Sequence, residues 1–286
     1  MNYEDVRDLK DGDFKRLCGV TRETFAVMCQ VVSEYKQFNK RGRKSNLSIE
    51  NQVLLTLSFW REYRTLLHLG RDWRLHESNV SRLVRRVEDI LIKSGKFSLP
   101  GKKRLLEGDS IKYTIVDVTE REIERPKKKQ RAFYSGKKKR HSLKAQLIIK
   151  EESEQITATF FGKGKTHDYK LFQLSGVRLG KHLKLRTDLG YWGLQTESLN
   201  VILPQKNSKL HQLTRSQKKM NRKLAGKRVK VENVIRRLKI FRILSERYRH
   251  RRKRFGLRFN LIAGLHNYEL KLKSCISQEV YLIFRR

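Results

Sequence analysis

Three carboxylates stand out by position: Asp117, Asp188 and Glu232. Asp117 lies in the apolar run Tyr113-Thr114-Ile115-Val116-Asp117-Val118. Ile115, Val116 and Val118 put apolar groups on both faces of a strand, which suits a central, covered sheet position. A carboxylate there is costly unless it is paired, hydrogen-bonded or holding a metal. The rest of the chain is strongly basic, with 67 Lys and Arg against 29 Asp and Glu and a formal net charge of +38, which suggests an anionic partner. Asp188 precedes the turn Leu189-Gly190-Tyr191-Trp192-Gly193, where it can also simply cap the turn. Glu232 falls in a helical pattern, Arg228 to Lys239, where an exposed glutamate needs no special role. Converging carboxylates would give hard oxygen ligands for Mg²⁺, which keeps waters and bridges to phosphate. Two such ions about 4 Å apart serve phosphodiester cleavage and transfer.

The elements that must position them follow from the apolar pattern. The first ~100 residues read as helical, with Thr21, Ser48 and Ser78 as N-caps. Leu66 to Trp73, the turn Leu75-His76-Glu77-Ser78 and the helix after it have the form of a helix-turn-helix. Asn79, Ser81, Arg82, Arg85 and Arg86 fall on its exposed face, suited to base edges and phosphates. An ordinary amphipathic pair with a solvated face has the same pattern. Lys96 to Gly108 marks a boundary, giving domains 1–104 and 105–270 and a tail 271–286. Beyond it the period becomes that of strands: 112–118, 141–150, 156–160, 181–188 and 200–204. Glu151 to Gln155 makes a hairpin turn, and helices cover 168–174, 212–224 and 228–246. The expected fold class is α/β: a ribonuclease H-like mixed sheet with flanking helices, preceded by an all-α domain. In such sheets chemistry gathers at strand ends, so Asp117 and Asp188 converge if their strands are neighbours.

Composition narrows the partners. The charge favours a polyanion. No stretch approaches the ~18 apolar residues of a spanning helix, and the N-terminus lacks a signal core. Three cysteines without zinc spacing fit a reducing compartment, and the expected location is cytoplasmic. Arg121 to Arg140 holds ten Lys or Arg, and Arg236 to Arg258 holds eleven. Runs of this density read as phosphate-contacting walls of a DNA channel, although a charge run is usually a solvated face.

Asp117, the Asp188-to-Gly193 segment and Glu232 with Lys239 resemble the DDE signature of insertion-sequence transposases, of the insertion-sequence-five type related to Harbinger elements. Glu124-Arg125-Pro126, Tyr134-Ser135-Gly136-Lys137-Lys138-Lys139-Arg140-His141 and Val231 to Arg242 strengthen the likeness. Arg41-Gly42-Arg43-Lys44 and Arg61 to Thr65 resemble the upstream helix-turn-helix region, and the likeness spans about residues 14–270. It departs where the group often carries Gly after the first aspartate and this chain has Val118.

The resemblance implies Mg²⁺ (or Mn²⁺) on Asp117, Asp188 and Glu232, and double-stranded DNA as substrate: terminal inverted repeats and a target. It implies DNA contacts by Arg41, Arg43, Lys44, Asn79, Ser81, Arg82, Arg85, Lys137, Lys138, Lys139, Arg140, Arg236 and Lys239. Lys239, seven residues beyond Glu232, would share its helix face. A homodimer or larger assembly on DNA, nucleoid-associated in a bacterium, is expected because two ends must be paired. His167 and Asp168, a pair seen in the group, read as a helix-start cap and stay outside the catalytic set. Two rival readings remain: an inactive or domesticated DNA-binding relative that keeps the fold, and a basic RNA-binding protein.

Overall fold

The computed structural model describes residues 2–38, 45–106, 112–180, 182–196, 200–208 and 212–283, with no side chains beyond 275. The chain divides into two compact units. One holds Met1–Ser98, Leu238–Glu246 and Arg251–Arg286; the other holds Leu99–Arg237 and Arg247–His250. The division at Ser98 falls six residues before the expected boundary at 104, and the chain after Leu238 groups mostly with the first unit rather than with the 105–270 span.

The first unit is helical: α1 (Glu4–Arg7), α2 (Asp11–Cys18), α3 (Arg22–Phe38), α4 (Ile49–Glu62), α5 (Leu66–Asp72) and α6 (Glu77–Lys93). Ser48 caps α4 by accepting from Asn51 N–H at 3.2 Å, and Thr65 caps α5. The cap of α6 is His76, whose ring accepts from Ser78 N–H at 3.3 Å, so the cap lies two residues before the expected Ser78. Met28, Val32, Leu54, Leu57, Val80, Val84, Val87 and Leu91 are buried, so the 3.6-residue stripes form the core. The turn between α5 and α6 is tight. Leu75 N–H donates to Gly70 O at 2.8 Å, and a Cβ on Gly70 would lie 2.5 Å from Leu75 O. Only glycine permits that approach.

The second unit contains β1 (Tyr113–Glu122), α7 (Gln130–Phe133), β2 (Tyr134–Ser135), β3 (Arg140–Lys150), β4 (Ile156–Lys163), α8 (Asp168–Ser175), β5 (Lys184–Arg186), β6 (Val201–Ile202) and α9 (Arg215–Leu238). The sheet runs β4-β3-β1-β5-β6, with β2 a short addition on one end of β3. β1, β3 and β4 are antiparallel, while β5 and β6 run parallel to β1. This is the ribonuclease H-like mixed sheet that the element order predicts.

Several boundaries differ from the sequence reading. β1 continues to Glu122, because β3 goes on pairing through Glu122↔Ser142 where the apolar pattern has ended. β5 covers only 184–186 of the expected 181–188. The two expected helices 212–224 and 228–246 are one helix, α9, which stops at Leu238. Residues 271–283 of the expected tail are the end of α10 (Phe255–Ile283), a helix of the first unit, and the rest lies outside the described residues. Among the described residues no helix is long and apolar enough to cross a membrane.

Candidate active site

Asp117 sits mid-strand on β1, flanked by β3 and β5, rather than near a strand end. The parallel ladder of β1 and β5 pairs Tyr113 with Lys184, Thr114 with Leu185 and Ile115 with Arg186. Continued at the same offset for two more residues, it sets Asp188 opposite Asp117. Alternation then puts Val116 and Val118 on the other face, where both pack in one apolar cluster with Ile148, Leu185 and Tyr191. The bulky Val118 that replaces the group's usual glycine thus belongs to the core beneath the site.

α9 supplies the third carboxylate, and the hairpin turn between β3 and β4 anchors that helix. Lys230 Nζ donates to Glu151 O at 2.7 Å, Lys227 Nζ lies 3.3 Å from Glu151, and Arg237 pairs with Glu154 at 2.5 Å. Glu151 is itself held by Arg186 of β5 at 2.5 Å, with both side chains 9% exposed. Seating one edge of α9 on this turn leaves Arg228, Glu232 and Arg236, spaced four apart, along another edge.

The electrostatics tie the three acids together. Burial pushes the Asp117 carboxyl up from 3.8 to about 6. The Val118 backbone N–H and the Arg228 guanidinium oppose the rise, while the charges of Asp188 and Glu232 add to it. Asp117 is only half-buried by surface exposure, so its tip meets solvent while most of its surroundings are protein. Arg228 Nη2 lies 3.9 Å from Asp188 Oδ2. This arginine is the cation among the acids, and its one sequence signal is its place one turn before Glu232.

Asp188 closes its turn, accepting from Gly190 N–H at 3.0 Å, as the capping reading expects. A Cβ on Gly190 would meet Asp188 Oδ1 at 3.0 Å and Asp168 Oδ2 at 3.3 Å. Two carboxylates therefore face one point across this glycine. Asp168, read from sequence as part of a helix-start cap, instead pairs with Lys144 of β3 at 2.7 Å, and the His167 side chain makes no capping bond. Tyr191 is fully buried with its hydroxyl unpartnered, within the field of Asp168, Asp117 and Asp188.

Among the described residues, no three His, Cys, Asp or Glu side chains gather closely enough to enclose a metal ion. The donor set nevertheless fits a hard divalent cation: all its groups are carboxylates, and burial makes the Asp117 anion costly, a cost that a bound cation would offset. Mg²⁺ is commonly held by one or two carboxylates plus waters and substrate phosphate, not by a closed protein cage.

The other expected positions lie as follows. Arg41, Arg43 and Lys44 fall outside the described residues. Asn79, Arg82, Arg85 and Arg86 are exposed on α6 and Ser81 is half-buried, with Arg82 Nη2 donating to Ser78 Oγ at 3.2 Å. Lys137, Lys138 and Lys139 form the exposed turn before β3, and Arg140 pairs with Glu122 at 2.6 Å. Arg236 is exposed. Lys239 does not share a helix face with Glu232: α9 ends at Leu238, and Lys239 belongs to the other unit. The run Arg236–Arg258 is likewise split between the units, and Arg254 and Arg258 in it serve the buried Glu88.

The pattern matches a known family. Residues 116–267, which contain all three carboxylates, match the family described as DDE superfamily endonuclease. The chain belongs to the DDE superfamily of endonucleases. Residues 45–97, which span α4, α5 and α6, match the helix-turn-helix of DDE superfamily endonucleases. The chain is also 50% identical over 276 residues to the probable transposase for insertion sequence element IS702 of Microchaete diplosiphon, covering 96% of this chain and 100% of that protein. No solved structure matches it. In this chain the helix-turn-helix is therefore a family feature and not merely an amphipathic pair.

Proposed function

We propose that the protein is a transposase that binds the terminal inverted repeats of an insertion sequence and cleaves and joins DNA with a divalent cation, Mg²⁺ or Mn²⁺. The observation that carries this reading is the parallel ladder of β1 and β5, which, if continued two residues past Arg186, would bring Asp188 beside Asp117, whose carboxyl also feels the charges of Asp188 and Glu232. Asp117, Asp188 and Glu232 would hold the ions. When bound, such ions activate the attacking oxygen and stabilise the leaving one. Water attacks a phosphodiester at the element's end, the P–O3′ bond breaks, and the freed 3′ hydroxyl later attacks target DNA. Arg228 balances the acids before substrate arrives. The exposed face of α6 and the turn Lys137–Lys139 contact DNA, and two copies of the chain pair two ends.

The test is cleavage of DNA carrying the element's own ends by purified protein, with Mg²⁺ or with EDTA. Metal-dependent nicking at the ends is expected. Binding without cleavage would favour an inactive relative that keeps the fold, and no preference for end DNA would overturn the reading.

Two further outcomes follow. Carboxylates bind metal ionised, so protons compete. The Asp117 carboxyl is raised to about 6, so it is charged above that pH and neutral below. Mn²⁺ affinity, followed by the spin-resonance signal of the free ion, is expected to weaken as pH falls through about 6. A profile that stays flat across that value would exclude Asp117 as a ligand. DNA affinity is expected to fall steeply with salt, each neutralised phosphate adding about −0.9 to the slope of log affinity against log salt. Replacing Lys137, Lys138 or Lys139 by Ala should each make the slope shallower by about 0.9, as read by fluorescence anisotropy. An unchanged slope would remove that turn from the interface.

A further inference from the structure

A cavity of about 490 Å³ opens in the sheet unit, lined by Gln130, Arg131, Tyr134, Gly136, His141 and Lys165. Its aromatic wall is a cross-strand pair. Tyr134 of β2 faces His141 of β3 in register, with ring centroids 5.6 Å apart at 73°. The edge contact braces the Tyr134 ring, which remains 41% exposed. The segment carrying Lys165 is fixed by backbone. Lys165 N–H donates to Ala132 O at 3.3 Å and Gly164 N–H to Ser142 O at 3.0 Å, tying the end of β4 to α7 and β3.

The chemistry of the lining is specific in sign and shape. It carries two exposed cations, Arg131 and Lys165, and no carboxylate. Arg125 Nε donates to Gln130 Oε1 at 3.0 Å, which leaves the Gln130 amide N–H groups to meet an acceptor. The cavity thus offers a π face, a donor amide and paired positive charge. A planar heterocycle with acceptor edges and an attached anion satisfies all three, which describes a nucleotide. Within a duplex the base faces are covered by stacking, so the nucleotide must be out of the stack.

We infer that this cavity holds one unstacked nucleotide of the bound DNA, its base on Tyr134 and its phosphate between Arg131 and Lys165. The inference rests on the DNA-processing reading and adds a site whose lining includes none of the three carboxylates. Such stacking is sequence-tolerant, because every base has a π face. It would hold a distorted strand in place without reading its sequence.

The test compares two labelled duplexes of one sequence, fully paired or carrying one extra unpaired thymine, by fluorescence anisotropy at fixed salt. The protein is expected to bind the bulged duplex about tenfold more tightly, the scale of one stacked base. Tyr134→Ala should reduce the bulged duplex to the affinity of the paired one, while Tyr134→Phe keeps the preference. If Tyr134→Ala does not fold by circular dichroism, Arg131→Glu at the exposed rim should also abolish the preference. Equal binding of both duplexes by the unaltered protein overturns the nucleotide site and leaves the DNA reading standing. A preference that survives Tyr134→Ala or Arg131→Glu also overturns the site. Failure to bind either duplex overturns both.

Discussion

Asp117→Asn is expected to lower metal-dependent cleavage of end DNA by ~10²–10³ or more, the scale of removing one group that stabilises the transition state. DNA affinity in the absence of metal should stay nearly unchanged. The substitution keeps shape and removes charge. An Asn oxygen can still accept from the Val118 N–H that now faces the carboxylate. Burial is the largest cause raising the Asp117 carboxyl, so the fold bears a cost for its charge that the neutral amide removes. The Asp117→Asn protein should therefore unfold at the same temperature as the unaltered chain or higher, which separates lost chemistry from lost structure. Arg228, freed of one acid, keeps Asp188 at 3.9 Å. Cleavage at the original rate by the folded variant would eliminate Asp117 as a ligand, and with it the proposed site.

Much of this site is legible in the sequence because a buried charge must announce itself. Asp117 breaks an apolar run, and Asp188 precedes a glycine turn that strand ends favour. What escaped is what depends on long-range pairing. The strand containing Asp117 is longer than its apolar pattern, because β3 supplies hydrogen-bond partners to polar residues as readily as to apolar ones. The acidic turn 151–154 reads as a mere hairpin connection, yet it receives three cations from α9 and so sets where Glu232 and Arg228 stand. Asp168 is hidden for the same reason. Its partner Lys144 is 24 residues away on strand β3, and its approach to Asp188 depends on the bare Cα of Gly190. Lys239 shows the converse error, since a seven-residue spacing implies a shared face only while the helix lasts.

Glu88→Ala is expected to destabilise the helical unit by about 3–5 kcal/mol, the usual cost of removing one partner from a buried ion pair. The α6 pattern of Val80, Val84, Val87 and Leu91 hides this residue, which is fully buried among them. Its Oε1 accepts from Trp60 Nε1 at 3.1 Å and from Arg258 Nε at 2.7 Å, and Arg254 Nε donates to Oε2 at 2.8 Å. One carboxylate thereby joins α4, α6 and the start of α10, bringing residues 166 and 170 positions apart in sequence into one core. Arg258 is 4% exposed and stacks over Phe59, so it cannot turn to water when Glu88 is lost. The loss of a buried counter-charge from Arg254 and Arg258, more than the missing bonds, makes the effect large. Glu88→Gln keeps an acceptor for Trp60 and should cost less than Glu88→Ala. Because α6 also presents Asn79, Arg82 and Arg85 outward, the Ala variant should lose affinity for end DNA at the lower urea concentration where its helical signal is lost. Urea titration followed by circular dichroism, with anisotropy on the same samples, measures both. A midpoint within error of the unaltered protein would show that the network does not hold the recognition helix in place.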